Sequence, residues 1–443
     1  MSSPLRRAPA RLATLLLALP LAAAPVRAQD DGGTVTAGVF RRYADRVIKI
    51  HVVEMSSAAK AELGSGFFVT PDGLVVTNYH VVSKIVHEPD RYRAEWIDSA
   101  ATPHGLRILA VDVVNDLAVL RSAQPAPAYF TLAPVRVAQG TRLYALGHPN
   151  DLGLSIVEGT DNGLLQYTLY PKIHFTGAIN PGMSGGPAIT EDGRVVGVNV
   201  ATEGNGIGFL VPIARAATLV ARARAPGFTP SRSFLADIGA QLRAYQDTYV
   251  SGLFGDSTPS VALGGYQLPT RPAPFFKCWA DAFRHDADRP YDVVTHRCST
   301  DDYVYLSADQ STGTIELVHH WYTSTELNRV RFFALYQKRF QGGADDMDGD
   351  ESDVTRFRCQ TRNVRHDAVT MRTVLCVRRY RKFTGLYDAV LKAAILGGTH
   401  SGLMTTLTLS GVSFENAERL ATRYLERITV AAAEHVAQAG ATR

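Results

Sequence analysis

Arg46-Val-Ile-Lys-Ile-His-Val-Val53, Gly66-Phe-Phe-Val-Thr70 and Gly73-Leu-Val-Val-Thr-Asn78 decide how this chain folds. Each is a strand-length run rich in β-branched or aromatic residues, and Pro71-Asp72-Gly73 reads as a hairpin turn between the second and the third. The same text continues in Ile108-Leu-Ala-Val-Asp-Val-Val114, Leu117-Ala-Val-Leu120 and Arg142-Leu-Tyr-Ala-Leu-Gly147. Short strands at this spacing, with no helical periodicity between them, argue for antiparallel barrels rather than a parallel α/β sheet. The pattern runs from Val35 to about Arg222, and some 190 residues of it suit two small barrels packed together.

Beyond that region the texture changes. Ala214 to Ala223 is helical in pattern, and Pro226-Gly-Phe-Thr-Pro-Ser231 breaks it, which marks a domain boundary. The reading therefore assigns residues 33–225 to the barrel domain. Residues 226–274 form a helix (233–250) and a Gly/Ser/Pro-rich connector from Gly252 to Pro274. Residues 275–432 mix strands such as Thr370–Phe383 and Met404–Leu409 with a closing helix from Glu415 to Val430, N-capped by Ser413, and are expected to form an α+β domain. The first 28 residues stand apart: Arg6, Arg7 and Arg11 precede an apolar run from Leu12 to Ala24 that is too short to span a bilayer. Val26-Arg27-Ala28 then offers small residues where a signal peptidase reads, so cleavage after about Ala28 and a periplasmic or secreted location are expected.

Four of the 46 Lys and Arg residues lie in that segment and none of the 42 acids does, which leaves 42 of each sign in the mature chain. Such balance calls for neither a nucleic acid nor an anionic membrane as partner. About 415 mature residues are too many for one core, consistent with two domains. All four cysteines fall in the second half, and an exported chain oxidises them. Of the three possible pairings the local ones, Cys278–Cys298 and Cys359–Cys376, are favoured because each closes a short loop between strand-like segments. No C-x-x-C pair is present and His285, His296 and His366 fall at no ligand spacing, so no metal or other cofactor is expected. Asp345-Asp-Met-Asp-Gly-Asp-Glu-Ser-Asp353 looks superficially like a calcium loop. Aligning its glycine, however, puts Ala344 and Thr355 at the first and last ligand positions, which leaves a solvated acidic loop.

Acyl transfer by a serine needs a hydroxyl that loses its proton as it attacks, a base, a group that holds the base, and donors for the developing oxyanion. Ser184 lies among glycines in Asn180-Pro-Gly-Met-Ser-Gly-Gly-Pro187, where a tight turn can expose Oγ and aim the N–H groups of Gly182 and Ser184 inward. His80 closes the strand that begins after Gly73, and Asp116 heads the apolar strand Leu117–Leu120. Taken singly, each has an ordinary reading: a turn serine, a structural histidine, a strand-cap aspartate.

Together, five segments resemble the trypsin-like serine proteases, in particular their HtrA/Deg branch. They are Gly64-Ser-Gly-Phe-Phe-Val69, Thr77-Asn-Tyr-His-Val-Val82, Asn115-Asp-Leu-Ala-Val-Leu120, Ile179-Asn-Pro-Gly-Met-Ser-Gly-Gly-Pro187 and Gly206-Ile-Gly-Phe-Leu-Val-Pro212. The resemblance covers residues 35–222 and keeps the family's order, histidine, aspartate, serine, at separations of 36 and 68 residues. It implies a chymotrypsin-like pair of six-stranded barrels, with His80 as base, Asp116 orienting it and Ser184 as nucleophile in the cleft between them, and protein or peptide substrates. Met183 and Thr176 depart from the asparagine and aspartate usual in that branch, but only the backbone at 183 shapes the oxyanion hole. The inferred specificity pocket (Gly177, Ala178, Val200, Ala201, Thr202) carries no fixed charge, so cleavage after small or medium apolar residues is expected rather than after Lys or Arg. A catalytically silent peptide-binding or envelope-binding protein is the competing reading. The sequence leaves open the oligomeric state and the role of residues 275–432.

Overall fold

In a computed structural model of the chain, residues 34–341, 347 and 349–431 are described, so the expected signal segment 1–28 lies outside the described residues, as does part of the acidic loop. A short helix α1 (Val35–Tyr43) precedes the first barrel: β1 (Val47–Glu54), β2 (Lys60–Phe68), β3 (Leu74–Thr77), β4 (Tyr92–Ile97), β5 (Pro103–Asp112) and β6 (Leu117–Ser122). The second comprises β7 (Arg142–Gly147), β8 (Ser155–Leu164), β9 (Ile173–Thr176), β10 (Pro187–Ile189), β11 (Val195–Gly204) and β12 (Ile207–Pro212). Both are closed, in the orders β1-β2-β3-β6-β5-β4 and β10-β11-β12-β9-β8-β7, and every pairing is antiparallel. Closure leaves no free sheet edge. The expected turn at residues 71–73 is present, with Gly73 at φ +84° and its N–H donating to the Thr70 carbonyl.

One element of this half was not anticipated. After β3 the chain winds into a helix, α2 (Tyr79–His87), so His80 stands in a first helical turn and not at a strand end. Tyr79, Val82 and Val86 fall on the buried face of that helix, a three-to-four-residue spacing that a nine-residue window between strands shows only weakly.

After the barrels come α3 (Ile213–Ala223) and α4 (Phe234–Val250), the latter capped by the Ser233 hydroxyl. The stretch expected to be a connector is instead structured: β13 (Ser260–Leu263) and β14 (Tyr266–Pro269) form a hairpin that later pairs with β24 (Thr429–Val430). Glycines at 264 and 265, both at positive φ, make its turn, and turn glycines and linker glycines look alike in sequence. The remaining strands are β15 (Lys277–Phe283), β16 (Asp292–Ser299), β17 (Val304–Ser307), β18 (Gln310–Thr312), β19 (Ile315–Thr323), β20 (Arg358–His366), β21 (Val369–Arg379), β22 (Tyr387–Ile395) and β23 (Ser401–Val412). Seven of them make one antiparallel sheet, β15-β16-β19-β23-β22-β21-β20. Helices α5 (Arg329–Gln341) and α6 (Phe414–Glu426) complete this α+β domain, and α6 starts at the Ser413 cap but ends earlier than expected, because residues 429–430 leave it to join β14. Asp353 is buried against Lys382 Nζ at 2.9 Å, so this end of the acidic loop is not solvated.

The C-terminal domain shares a core with the first barrel. Val304, Leu306, Val354, Tyr380, Phe383 and Leu386 belong to the same apolar cluster as Ile50, Val75, Tyr79, Val82 and Val86. Disulfides join Cys278 to Cys298 and Cys359 to Cys376, each between directly paired residues of adjacent strands. They close loops of 20 and 17 residues, for which chain entropy gives a stabilisation of about 3 kcal/mol apiece. Replacing Cys278 and Cys298 together with Ala is expected to lower unfolding free energy by about that amount in denaturant titrations, and a loss below about 0.5 kcal/mol would contradict it.

Candidate active site

The turn between β5 and β6 forces Asp116 into the left-handed region, φ +53°, which an aspartate tolerates better than most residues. That conformation points its carboxylate at the start of α2. Oδ1 accepts the backbone N–H of His80 at 2.8 Å and Oδ2 lies 2.6 Å from His80 Nδ1. The Asp116 carbonyl in turn accepts the Tyr79 N–H (3.2 Å) and the Asn78 side-chain amide (2.8 Å). One residue thus caps the helix and fixes the imidazole, leaving Nε2 as the outward nitrogen. The His80 side chain remains 27% exposed. Burial pushes its pKa down, but the Asp116 charge and hydrogen bond, with Glu62 adding to them, outweigh burial and hold it above 6.5.

Ser184 comes from the other barrel. Ser65, in β2, grips its loop at two points: the Ser65 N–H donates to the Ser184 carbonyl at 2.8 Å, and its hydroxyl donates to the Gly182 carbonyl at 2.7 Å while accepting the His148 N–H at 2.8 Å. Gly185 seats the loop against the first barrel, since a Cβ there would meet Ser65 O and Thr77 Oγ1 at 2.2 Å and Asn78 N at 3.0 Å. Ser184 is therefore one residue from a contact that is two residues from His80. The Ser184 hydroxyl itself donates to the Val200 carbonyl at a long 3.4 Å. Among the described residues it makes no hydrogen bond to the His80 ring.

The N–H groups of Gly182 and Ser184 donate to no acceptor among the described residues, and the peptides explain why. The Pro181 carbonyl accepts the Asn150 N–H at 2.9 Å, and the Met183 carbonyl accepts the Gly186 N–H at 3.1 Å and the Asn199 amide at 3.3 Å. In a trans peptide the N–H points opposite to the C=O, so both donors face away from these contacts. Gly182 sits at φ +92°, and a Cβ on it would lie 2.4 Å from the His148 carbonyl. Met183 is wholly buried in the second barrel's core beside Phe175 and Leu210, so its side chain stays out of the cleft.

Of the residues expected in the specificity pocket, Gly177 is buried against the Phe175 ring, Ala178 is exposed and Val200 is half-buried. The side chains of Ala201 and Thr202 lie outside the described residues. Ser65, Asn78 and Tyr305 were not singled out from the sequence. The first two stand inside motifs already noted, one residue after Gly64 and two before His80, and their bonding type was the available signal. Tyr305 belongs to the C-terminal domain, yet its ring centroid is 5.9 Å from that of His80. A large cavity of about 1160 Å³ lies elsewhere, between α5 and the β20–β22 face, and contains none of these residues.

Two closed six-stranded antiparallel barrels, with a serine in a glycine turn of the second and a histidine–aspartate pair on the first, define the chymotrypsin fold. Residues 64–198 match the model of the trypsin-like peptidase domain. That region is a trypsin-like peptidase domain, and HtrA and DegP proteases are its homologues. The chain is 34% identical over 191 residues to "Serine protease HTRA2, mitochondrial" of Bos taurus, covering 40% of each chain. It is 31% identical over 202 residues to "Probable periplasmic serine endoprotease DegP-like" of Rickettsia conorii, covering 41% of this chain and 37% of that one. Among solved structures, the "Crystal structure of Deg5" is 25% identical, with a TM-score of 0.38, covering 44% of this chain and 95% of that one. The chain thus spans about two fifths of the length of these curated relatives.

The His80 ring is expected to titrate above 6.5 by NMR in the intact protein, and Asp116→Asn to move it below 6.5, because burial then acts without the offsetting carboxylate. An unchanged value in the variant would show that the pair is not electrostatically coupled.

Proposed function

We propose that the chain is an exported serine endopeptidase in which Ser184 is the nucleophile, His80 the general base and Asp116 the residue that orients and charges the base. The observation that carries this is the His80–Asp116 pair, 2.6 Å apart, on the barrel whose Ser65 clamps the glycine turn of Ser184, a turn whose Gly182 and Ser184 N–H groups are unengaged. In this mechanism the Ser184 hydroxyl leaves the Val200 carbonyl, which it meets at a long 3.4 Å, and turns to His80 Nε2 when substrate binds. Such bonds are commonly long or misaligned before substrate binds. The oxygen then attacks the scissile carbonyl carbon as its proton passes to Nε2. The carbonyl oxygen, now negative, takes the N–H groups of Gly182 and Ser184. Collapse breaks the C–N bond, the departing amine takes the proton from His80, and an acyl-Ser184 ester remains. Water, deprotonated by the same imidazole, releases the acid and restores the serine.

The imidazole must be neutral to accept the proton, so kcat/KM rises with pH through the His80 pKa, which lies above 6.5. Small or medium apolar residues are the expected side chains before the cleaved bond, because Gly177, Ala178 and Val200 bring no charge to offset a buried cation. Export through a segment cleaved after about Ala28 places the reaction in the periplasm or outside the cell.

A fluorophosphonate probe is expected to label the wild type at Ser184 and to leave Ser184→Ala unlabelled, with peptide hydrolysis falling on the order of 10⁶-fold. A folded protein that stays unlabelled would favour the silent binding protein instead. Ser65→Ala, which frees the Gly182 carbonyl, is expected to cut kcat roughly ten- to hundredfold while the pKa seen in kcat/KM stays in place. A shift in that pKa would place its effect on His80 rather than on the oxyanion donors.

A further inference from the structure

The hairpin β17–β18 leaves the seven-stranded sheet and lies on α2, the helix that carries His80. Its backbone is locked there. The Leu306 carbonyl accepts the Tyr79 hydroxyl at 2.8 Å and lies 3.0 Å from His87 Nε2. Val304 and Leu306 are buried in the cluster that fills the first barrel. Tyr305 stands between them in the strand and is only partly buried against the same cluster, which leaves its ring beside the start of α2. Its ring stands edge-on to His80 at 5.9 Å and 70°, and to Tyr79 at 6.3 Å and 67°, with its hydroxyl 3.5 Å from Ser83 Oγ. The residue is half-buried, so part of this face is open to a ligand. Glu62, paired with Lys84, and Asp309 are the further charged groups near the ring.

A peptide attacked by Ser184 sets its scissile carbonyl carbon against that hydroxyl and its leaving nitrogen within reach of His80 Nε2. The substrate side chains nearest the bond then cross the part of the His80 ring not held by Asp116. Tyr305 borders that ring with a rigid, two-torsion aromatic fixed by its strand neighbours. We infer that the C-terminal domain completes the substrate cleft: Tyr305 is a specificity-determining wall beside His80 that restricts the neighbouring subsite to small side chains. This rests on the protease reading above. It gives the C-terminal domain a place in substrate selection through its direct contact with the barrel domain.

The test uses the full chain and a peptide library varied at the positions on both sides of the cleaved residue. In Tyr305→Ala, the ratio of kcat/KM for Leu over Ala at one of those positions is expected to rise about tenfold. Tyr305→Phe keeps the wild-type ratio and Tyr305→Trp lowers it, because the ring and not the hydroxyl forms the wall. A uniform fall of kcat/KM in Tyr305→Ala with the ratio unchanged would mean that the tyrosine only supports α2, and would overturn the proposal. So would an unaltered preference in all three variants. Fluorophosphonate labelling of the wild type separates the two levels: an unlabelled wild type overturns the protease reading and this inference together, whereas a labelled enzyme with an unaltered ratio overturns the inference alone.

Discussion

Everything in the cleft hangs from the two oxygens of one carboxylate. Asp116 takes the backbone N–H of His80 on Oδ1 and the ring nitrogen on Oδ2, so the position of the helix and the orientation of the imidazole are set by a single group. A charged acceptor makes both bonds strong, and the left-handed turn at Asp116 is the local cost of aiming it there. Asn78 and Tyr79 tie down the same residue through its carbonyl, so the aspartate is held from behind as firmly as it holds the histidine.

The second half of the site is assembled by close backbone approach. Gly182 and Gly185 stand where a Cβ would lie 2.4 Å or less from its neighbours, and the loop between them is clamped by Ser65. This lets a strand of the first barrel govern a turn of the second. The orientation of the Gly182 and Ser184 N–H groups then follows from where the Pro181 and Met183 carbonyls find partners, and a rigid peptide plane carries the effect across each bond. Met183 has its side chain buried in the barrel core and gives the turn only its backbone.

The C-terminal domain is packed against the site rather than tethered near it. Its hairpin and the Phe383 region share one apolar cluster with α2 and the first barrel, and α4 bridges the halves through Ile238 and Leu242 on one side and Gln246 on the other. Asp302 adds a polar contact to the second barrel, accepting from the Thr168 hydroxyl and the Leu169 N–H. Continuous burial of this kind resists the independent domain motion expected of a flexible linker.

The sequence by itself determined the barrel class, the histidine–aspartate–serine order and the cap at Ser413, and it favoured the two local disulfide pairs. Each is written in local signals: strand alternation, turn glycines, motif spacing, short loops between cysteines and a hydroxyl residue before a helix. Only the tertiary structure decided that His80 rides on a helix and that residues 260–269 are strands. It alone revealed Ser65 as the clamp on the Gly182 turn and brought Tyr305 to the histidine from more than 200 residues away. The physical reason is common to all four. A nine-residue helix, a four-residue strand, a serine hydroxyl and a half-buried ring take their roles from what packs against them, and those partners are distant in the chain.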